Sequence, residues 1–205
     1  SVPTPRGGGL SFVIVICAIF TLLYLFGWCS DRQFFGVVLP ALIIAIVGLI
    51  DDRVCLGFRI RIMMHFLAAS SGVLILGGLP PLLLVGKVWD FGILGDVVAI
   101  IGVVWLLNLY NFMDGIDGIA GVEGVTVPVF MGCLLVVTGR DGGESLIYFA
   151  VAASVMGFLI WNLPPAKIFM GDVGSCFLGL LLALMAIVAT HLDPRYIWVF
   201  LILLG

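Results

Sequence analysis

Long apolar stretches alternate with short polar segments along the whole chain, and this alternation predicts a bundle of membrane-spanning helices. A helix needs about 20 mostly apolar residues to cross the hydrocarbon core of a bilayer. The candidate spans are Leu10–Trp28, Phe34–Ile50, Ile62–Gly78, Asp96–Leu107, Val125–Gly139, Leu146–Trp161 and Ser175–Thr190, and an eighth begins near Ile197. We therefore predict an all-α polytopic transmembrane bundle with about seven full spans and a truncated eighth.

The segments between the spans fall into two sets. The first set is short or poor in acids, and comprises Cys29–Gln33, Leu79–Gly95, Arg140–Ser145 and His191–Tyr196. Leu79–Gly95 alternates loosely between apolar and polar residues, which predicts a small interfacial hairpin. The second set is rich in carboxylates, Asn and Gly, and comprises Ser1–Gly9, Asp51–Arg61, Asn108–Gly124 and Asn162–Gly174. Because two spans separate each polar segment from the next, all four are predicted to face one compartment and to converge.

Composition supports the membrane assignment. The chain has 205 residues, is 63% hydrophobic and 10% charged, and has a mean hydropathy of +1.32. A soluble domain is typically about a quarter charged, so the lipid bilayer is the expected solvent. The net charge of −3 and the lack of a basic cluster exclude a nucleic-acid partner. Lys and Arg are slightly more numerous on the side of the polar segments, which favours the cytoplasm for that side.

The first acidic motif is Asp51-Asp52, at the end of an apolar stretch. Adjacent carboxylates repel each other and are costly to desolvate, so they indicate a metal or phosphate site. A solvated helix end, with Arg53 offsetting the charge, is the alternative. Arg59 and Arg61 follow closely and suit either a bound phosphate or the lipid head groups.

The second motif runs from Asn108 to Gly121 and contains two amides and two acids. Asn108, Asn111 and Asp114 lie three residues apart, so a helix would place them on one face. Asp117 follows, and the intervening glycines allow a tight turn or close approach to a ligand. Asn and Asp oxygens suit a hard cation such as Mg²⁺, whereas helix capping is the alternative.

The third motif, Lys167–Ser175, places Asp172 between two glycines at the start of a span. Amides at a helix N-terminus bind phosphate well. An N-cap by Asp172 or Ser175 is the structural alternative. Together the three motifs supply acids, amides, glycines and bases on one side of the membrane. Such a set fits phosphoryl transfer assisted by Mg²⁺, and it fits neither hydride transfer nor acyl transfer.

These motifs resemble those of the polyprenyl-phosphate N-acetylhexosamine-1-phosphate transferases. The similar segments are Asp51-Asp52-Arg53, Asn108-x-x-Asn111-x-x-Asp114-Gly-Ile-Asp117-Gly and Ile168-Phe-Met-Gly-Asp172-x-Gly-Ser175, in the same order and with the same two-span separations. The segment Val2–Gly9 resembles the O-antigen and teichoic-acid branch more than the pentapeptide translocases. Members of this superfamily transfer a sugar-1-phosphate from a UDP-N-acetylhexosamine to a polyprenyl phosphate and release UMP.

The resemblance also implies roles for individual residues. Asn111 and Asp172 would hold Mg²⁺, with Mn²⁺ as a substitute, and Asp51 or Asp52 would orient or deprotonate the lipid phosphate. Further roles concern the nucleotide-sugar or its surroundings. Asp114 and Asp117 would bind the nucleotide-sugar or support the metal. Phe169 would stack on uracil, and Asn108, Arg59 and Arg61 would contact substrate.

The expected setting follows from the same resemblance. The chain would be a multi-pass protein of the bacterial inner membrane with its active site facing the cytoplasm, and a homodimer is one candidate assembly. Residues 1–205 would form a single transferase domain that lacks the first helix and the C-terminal helices of the superfamily, including a late cytoplasmic loop that contains His.

Two rival functions remain open from the residues. An intramembrane aspartyl protease needs two carboxylates that share a proton, and the Gly171-Asp172 pair at a span is compatible with one. An ion-coupled transporter is the second rival, although its acids usually lie near the bilayer midplane in broken helices. The clustering of acids, Asn and bases at the ends of spans favours the transferase over both.

Overall fold

A computed structural model describes residues 4–140 and 143–204. Val2 and Pro3 of the N-terminal motif, two residues of the predicted loop Arg140–Ser145, and the final Gly205 lie outside this part of the chain. The described helices are α1 (Gly9–Leu25), α2 (Asp31–Val54), α3 (Phe58–Leu76), α4 (Gly92–Met113), α5 (Ile119–Val137), α6 (Glu144–Asn162), α7 (Asp172–Leu192) and α8 (Tyr196–Leu203). Two short strands, β1 (Leu82–Leu84) and β2 (Lys87–Trp89), lie between α3 and α4.

The helical membrane bundle predicted from the sequence is confirmed. Six helices, α2 to α7, are long and apolar enough to cross a membrane, and α1 is a shorter apolar helix of 17 residues. The hairpin is confirmed as well, because β1 and β2 pair antiparallel with Leu83 opposite Val88. At the position of the predicted eighth span the structure has α8, a helix of 8 residues.

Several helices extend beyond the predicted spans into the polar segments. Asp51 and Asp52 belong to the last turn of α2, and Arg61 belongs to the first turns of α3. The predicted loop Asp51–Arg61 is therefore wrong in extent, and only residues 55–57 connect the two helices. A helix continues wherever its backbone hydrogen bonds continue, whereas hydropathy reports only the apolar part. The motif side chains are consequently held on rigid helix ends.

The seventh helix, α7, forms the centre of the bundle. In its most apolar window 94% of the residues are buried, compared with 22% to 50% for the other five long helices. It packs against α1, α2, α3, α4, α5 and α8. The helix begins at Asp172, so the third motif lies at the N-terminal end of the central helix. Residues from the surrounding helices can reach it there.

Glycines allow the neighbouring helices to approach α7 closely. A Cβ atom on Gly9 would lie 2.4 Å from the Cα of Gly174, and one on Gly48 would lie 2.6 Å from the carbonyl oxygen of Asp172. Small residues at helix interfaces are the usual means of close packing in membranes. These contacts fix α1 and α2 against the first turn of α7, next to the acidic motifs.

Candidate active site

The first and last polar segments are joined by backbone hydrogen bonds. The amide of Phe169 donates to the carbonyl of Pro5 over 2.9 Å, and the amide of Gly8 donates back to Phe169 over 3.0 Å. The amide of Gly9 donates to Met170 over 2.9 Å. The N-terminal segment therefore lies directly against the segment that leads into α7, as the counting of spans predicted.

The carboxylate of Asp52 caps the N-terminus of α7. Its Oδ1 accepts from the amide of Asp172 over 3.0 Å, and its Oδ2 accepts from the amide of Val173 over 3.1 Å. A negative charge is favourable there because the first amides of a helix carry partial positive charge. The alternative that Asp172 or Ser175 caps α7 is wrong. The N-cap residue is Gly171, which has no side chain to accept a hydrogen bond from the first amides of the helix.

Asp51, Arg61, Asn111 and Asp172 form a connected cluster. Arg61 Nη1 lies 3.1 Å from Asp51 Oδ2 and 3.6 Å from Asp172 Oδ2, and Arg61 Nη2 donates to Asn111 Oδ1 over 3.3 Å. Asn111 Nδ2 in turn donates to Asp172 Oδ1 over 2.8 Å. Residues from α2, α3, α4 and α7 thus meet at one point, and the predicted convergence of the three motifs is confirmed.

Asp114 and Asp117 bind the backbone of the segment between α6 and α7. Asp114 Oδ2 accepts from the amide of Gly171 over 3.2 Å, and Asp117 Oδ2 accepts from the amide of Ala166 over 3.0 Å. Asn162, which the motif analysis did not single out, completes this connection by accepting from Gly118 and donating to the carbonyl of Ile168. The second motif therefore shapes the loop that carries the third.

The electrostatics of Asp114 differ from those of an exposed carboxyl. The pKa of Asp114 is raised to about 7, mainly by burial and also by the nearby charges of Asp172 and Asp52, while the hydrogen bond from the Gly171 amide opposes the shift. A carboxyl whose pKa is close to neutral can both accept and release a proton under physiological conditions. Asp114, which lies beside the cluster and contacts Gly171, is therefore a carboxyl that titrates near neutral pH.

The remaining predicted substrate-binding residues lie at the edge of the cluster. Arg59 is exposed and forms no ion pair or hydrogen bond with the rest of the described chain. Asn108 donates to the carbonyl of Val104 within α4, and its side chain lies close to the buried His65. Phe169 is half-buried, and its backbone is held by Pro5 and Gly8.

The oxygen atoms around Arg61 fit a divalent metal ion by their chemistry. Two carboxylates and one amide oxygen converge on a single cationic group, and Mg²⁺ and Mn²⁺ prefer oxygen ligands. Within residues 4–140 and 143–204, however, no group of three His, Cys, Asp or Glu side chains converges as a metal site. A metal ion at Asn111 and Asp172 stays a prediction.

Two cavities are lined in part by residues of the polar motif segments. One of about 820 Å³ lies between α1 and α6 and is lined mainly by apolar residues such as Phe12 and Phe158, so it is separate from the acids. The other, of about 430 Å³, is lined by Asp117, Glu123 and Thr126 among others. Lys167 and Gly8 of the motif segments thus line the first cavity, and Asp117 lines the second.

Glu123 is a carboxylate that the sequence analysis left within a polar loop. The structure places it inside α5, which begins at Ile119. Its Oε2 is buried and has no hydrogen-bond partner among the described residues. The hydroxyl of the nearby Tyr110 is also buried and also lacks a partner there. An acid in a membrane helix is costly and usually functional, and this rule would have singled out Glu123 had the start of α5 been known.

A first prediction concerns the contact of Asp52 with the first amides of α7. Asp52→Ala should lower the stability of the protein by about 1–2 kcal/mol, because the first amides of α7 lose their charged acceptor. Asp52→Asn, which keeps one acceptor oxygen, should lower it by less. Thermal unfolding in detergent measures the effect, with Arg53→Ala, an exposed neighbour in the same turn, as the control. An unchanged melting temperature for Asp52→Ala would contradict a capping role.

Comparison with known proteins identifies the family. Residues 34–190 match the family model described as Glycosyl transferase family 4, which includes all three acidic motifs. The chain belongs to this family. Within it, the chain is 31% identical over 198 residues to the phospho-N-acetylmuramoyl-pentapeptide-transferase of Wolbachia pipientis wMel, and the match covers 89% of the chain and 59% of the relative.

The chain is also similar to a relative that is named for a different sugar, N-acetylglucosamine. The chain is 28% identical over 198 residues to the probable undecaprenyl-phosphate N-acetylglucosaminyl 1-phosphate transferase of Bacillus subtilis (strain 168), covering 91% of the chain and 52% of the relative. The chain therefore spans between half and two thirds of the length of these relatives. The resemblance to the polyprenyl-phosphate sugar-1-phosphate transferases is confirmed at the level of the superfamily.

Proposed function

We propose that this chain forms the central part of a metal-dependent transferase that moves a sugar-1-phosphate from a nucleotide-sugar to a polyprenyl phosphate. The observation that carries the proposal is the convergence of Asp51, Asn111 and Asp172 around Arg61 at one end of a membrane bundle. Phosphoryl transfer depends mainly on positioning and on neutralising phosphate charge. A cluster of oxygen ligands and a base at the membrane edge supports that chemistry on a lipid phosphate.

The residues nearest to Asp172 have distinct tasks in this proposal. Asn111 and Asp172 would hold Mg²⁺, and a bound Mg²⁺ neutralises phosphate charge and polarises the phosphoryl oxygens. Asp51 borders the same point and would help to orient the lipid phosphate. Asp52 positions Asp172, because its carboxylate fixes the amides at the start of α7.

The second motif would bind the nucleotide-sugar. Asp117 lines the cavity that also contains Glu123, while Asp114 supports Gly171. Phe169, next to Met170 at the entrance to α7, would stack on the uracil ring. Arg59, which is exposed, is available to contact phosphate or lipid head groups.

The identity of the sugar divides the proposal into two branches. The N-terminal motif supports a UDP-N-acetylhexosamine donor and a role in starting O-antigen or teichoic-acid carriers. The Wolbachia relative supports a UDP-N-acetylmuramoyl-pentapeptide donor with equal weight. In both branches the acceptor is undecaprenyl phosphate or a similar polyprenyl phosphate, and UMP leaves.

The setting of the reaction is part of the same proposal. The bacterial relatives and the long apolar helices support a multi-pass protein of the bacterial plasma membrane. We place the acidic cluster on the cytoplasmic side, where nucleotide-sugars are made, in agreement with the small excess of Lys and Arg on that side. A homodimer remains a candidate assembly.

The geometry favours the transferase over the two rival functions. The carboxyls of Asp51 and Asp172 are close enough to interact, as in an aspartyl protease, but the guanidinium of Arg61 pairs with both. Asn111 also donates to Asp172 Oδ1, so this carboxyl is engaged by an amide and a guanidinium as well as by Asp51, unlike a pair of carboxyls that only share one proton. A transporter site is disfavoured because α7 is continuous and its acid lies at the helix end.

Exchange of labelled UMP tests the proposal. Membranes that contain the full-length protein and undecaprenyl phosphate should incorporate labelled UMP into one UDP-sugar of a panel that includes UDP-N-acetylglucosamine, UDP-N-acetylgalactosamine and UDP-N-acetylmuramoyl-pentapeptide. The exchange should require Mg²⁺ or Mn²⁺ and should stop when a chelator is added. Exchange that persists in the chelator would contradict the metal, and the absence of exchange with every donor would contradict the reaction.

A further inference from the structure

The guanidinium of Arg61 lies where the proposed metal ion would bind. It is 3.1 Å from Asp51 Oδ2 and 3.6 Å from Asp172 Oδ2, and it donates to Asn111 Oδ1 over 3.3 Å. Two of these residues, Asn111 and Asp172, are the predicted metal ligands, and they also bind each other over 2.8 Å. One positive group therefore already occupies the oxygen atoms that a divalent cation needs.

Arg61 and a divalent cation cannot use these oxygen atoms together. Mg²⁺ binds its ligands at 2.0–2.1 Å, which is much closer than a guanidinium nitrogen approaches a carboxylate. Two positive charges in the same small space would also repel each other strongly, since the effective dielectric constant near a protein is low. By contrast, the two carboxylates of Asp51 and Asp172 balance the charge of one Mg²⁺ when Arg61 has left.

The position of Arg61 in the fold allows it to leave. It lies in the first turns of α3, close to the short connection from α2, and its side chain is 29% exposed. The side chain can therefore rotate towards the exposed edge of the bundle without displacing a helix. Arg59, two residues earlier in the same helix, is exposed and points to a different face.

We propose that Arg61 is an exchangeable counter-ion of the metal site, which neutralises Asp51 and Asp172 until a divalent cation displaces it. Asp51 thereby becomes a third ligand candidate beside Asn111 and Asp172. The displaced guanidinium is then available to a phosphate group of the substrate, so metal binding and anion binding support each other. This inference rests on the metal-dependent transferase proposed above.

Binding of Mg²⁺ to variants of the full-length protein tests the exchange. Isothermal titration calorimetry in lipid nanodiscs, without substrate, should give a dissociation constant about tenfold lower for Arg61→Gln than for the wild type, because no ion pairs have to be broken. Arg59→Gln removes the same charge from the same helix and should change the constant by less than about twofold. Asp51→Asn should weaken Mg²⁺ binding, as should Asp172→Asn.

Thermal unfolding provides a second readout. Without divalent ions, Arg61→Gln should be less stable than the wild type, since the acids lose their counter-ion, and saturating Mg²⁺ should abolish that difference. If Arg61→Gln does not fold, Arg61→Lys carries the test, because a lysine keeps the charge but lacks the two guanidinium nitrogens with which Arg61 contacts the acids and Asn111. Its Mg²⁺ dissociation constant should be about threefold lower than that of the wild type.

The outcomes separate the exchange from the proposed function. An unchanged or weaker affinity for Mg²⁺ in Arg61→Gln, or in Arg61→Lys where that variant carries the test, overturns the exchange. If, in that outcome, Asp172→Asn weakens Mg²⁺ binding as expected, the proposed metal site is supported although the exchange is wrong. If neither the wild type nor any variant binds Mg²⁺, both the metal site and the exchange are wrong. If the expected affinities are found but no UDP-sugar exchanges UMP, the exchange stands and the transferase reaction is wrong.

Discussion

Asp172→Asn is expected to lower the turnover of the full-length protein by about 100-fold or more. The carboxylate of Asp172 is the proposed metal ligand and lies at the junction of four helices, in contact with Asn111 and Arg61. A metal ion contributes several kcal/mol to stabilising charge in such a transition state, and about 1.4 kcal/mol corresponds to a tenfold change in rate. An amide keeps the shape of the side chain but loses most of the affinity for the ion.

The fold of this variant should be preserved. The contact that anchors the start of α7 uses the backbone amide of Asp172, not its side chain. Asp90→Asn, an equivalent change at an exposed position beyond the hairpin, serves as the control and should retain full activity. Turnover of Asp172→Asn above about a third of the wild-type value, in saturating Mg²⁺, would show that Asp172 is not an essential ligand.

A second large effect is expected from Gly48→Ala, which changes no polar group. The new Cβ atom would lie 2.6 Å from the carbonyl oxygen of Asp172 and 2.7 Å from the Cα of Val173. Both are backbone atoms, so the overlap can be relieved only by moving α2 away from the first turn of α7. Overpacking of this kind costs about 1–3 kcal/mol, and the shift would also disturb the position of Asp172.

Gly102→Ala is the matched control for this substitution. Gly102 also lies within a long helix, but a Cβ atom there would meet nothing within 4 Å. We expect Gly48→Ala to lower both the melting temperature and the rate of UMP exchange. Gly102→Ala should leave the rate unchanged and should not lower the melting temperature, because alanine favours a helix where there is space for it. Equal behaviour of the two variants in thermal unfolding and exchange assays would contradict the close contact between α2 and α7.

Counting of spans predicted the convergence of the motifs because the argument needs only the number of crossings. The contacts within the site could not be predicted in the same way. Asp52 and the amide of Val173 are separated by 121 positions, and Arg61 and Asn111 by 50. Helical periodicity indicates which face a residue occupies but not which side chain from another helix it meets. The capping by Asp52 and the central place of Arg61 therefore emerged only from the fold.

The helix boundaries were missed for a related reason. Polar residues at the ends of α2, α3 and α4 lower the local hydropathy, although the backbone remains helical. For this reason hydropathy predicts a loop at Asp51 and at Glu123, whereas the structure places them in α2 and α5. The short apolar stretch Asp96–Leu107 likewise underestimated α4, which runs from Gly92 to Met113.

The enclosure of α7 has a consequence for the biosynthesis of the protein. Because α7 follows α1 to α6 in the chain, these helices are already made when the central one emerges from the ribosome. With 94% of its apolar window buried, α7 has almost no surface left for lipid in the finished bundle. The earlier helices must therefore leave a gap, or separate again, so that α7 can enter between them. Filling of the centre of the bundle and assembly of the acidic cluster therefore become one event, because both need α7.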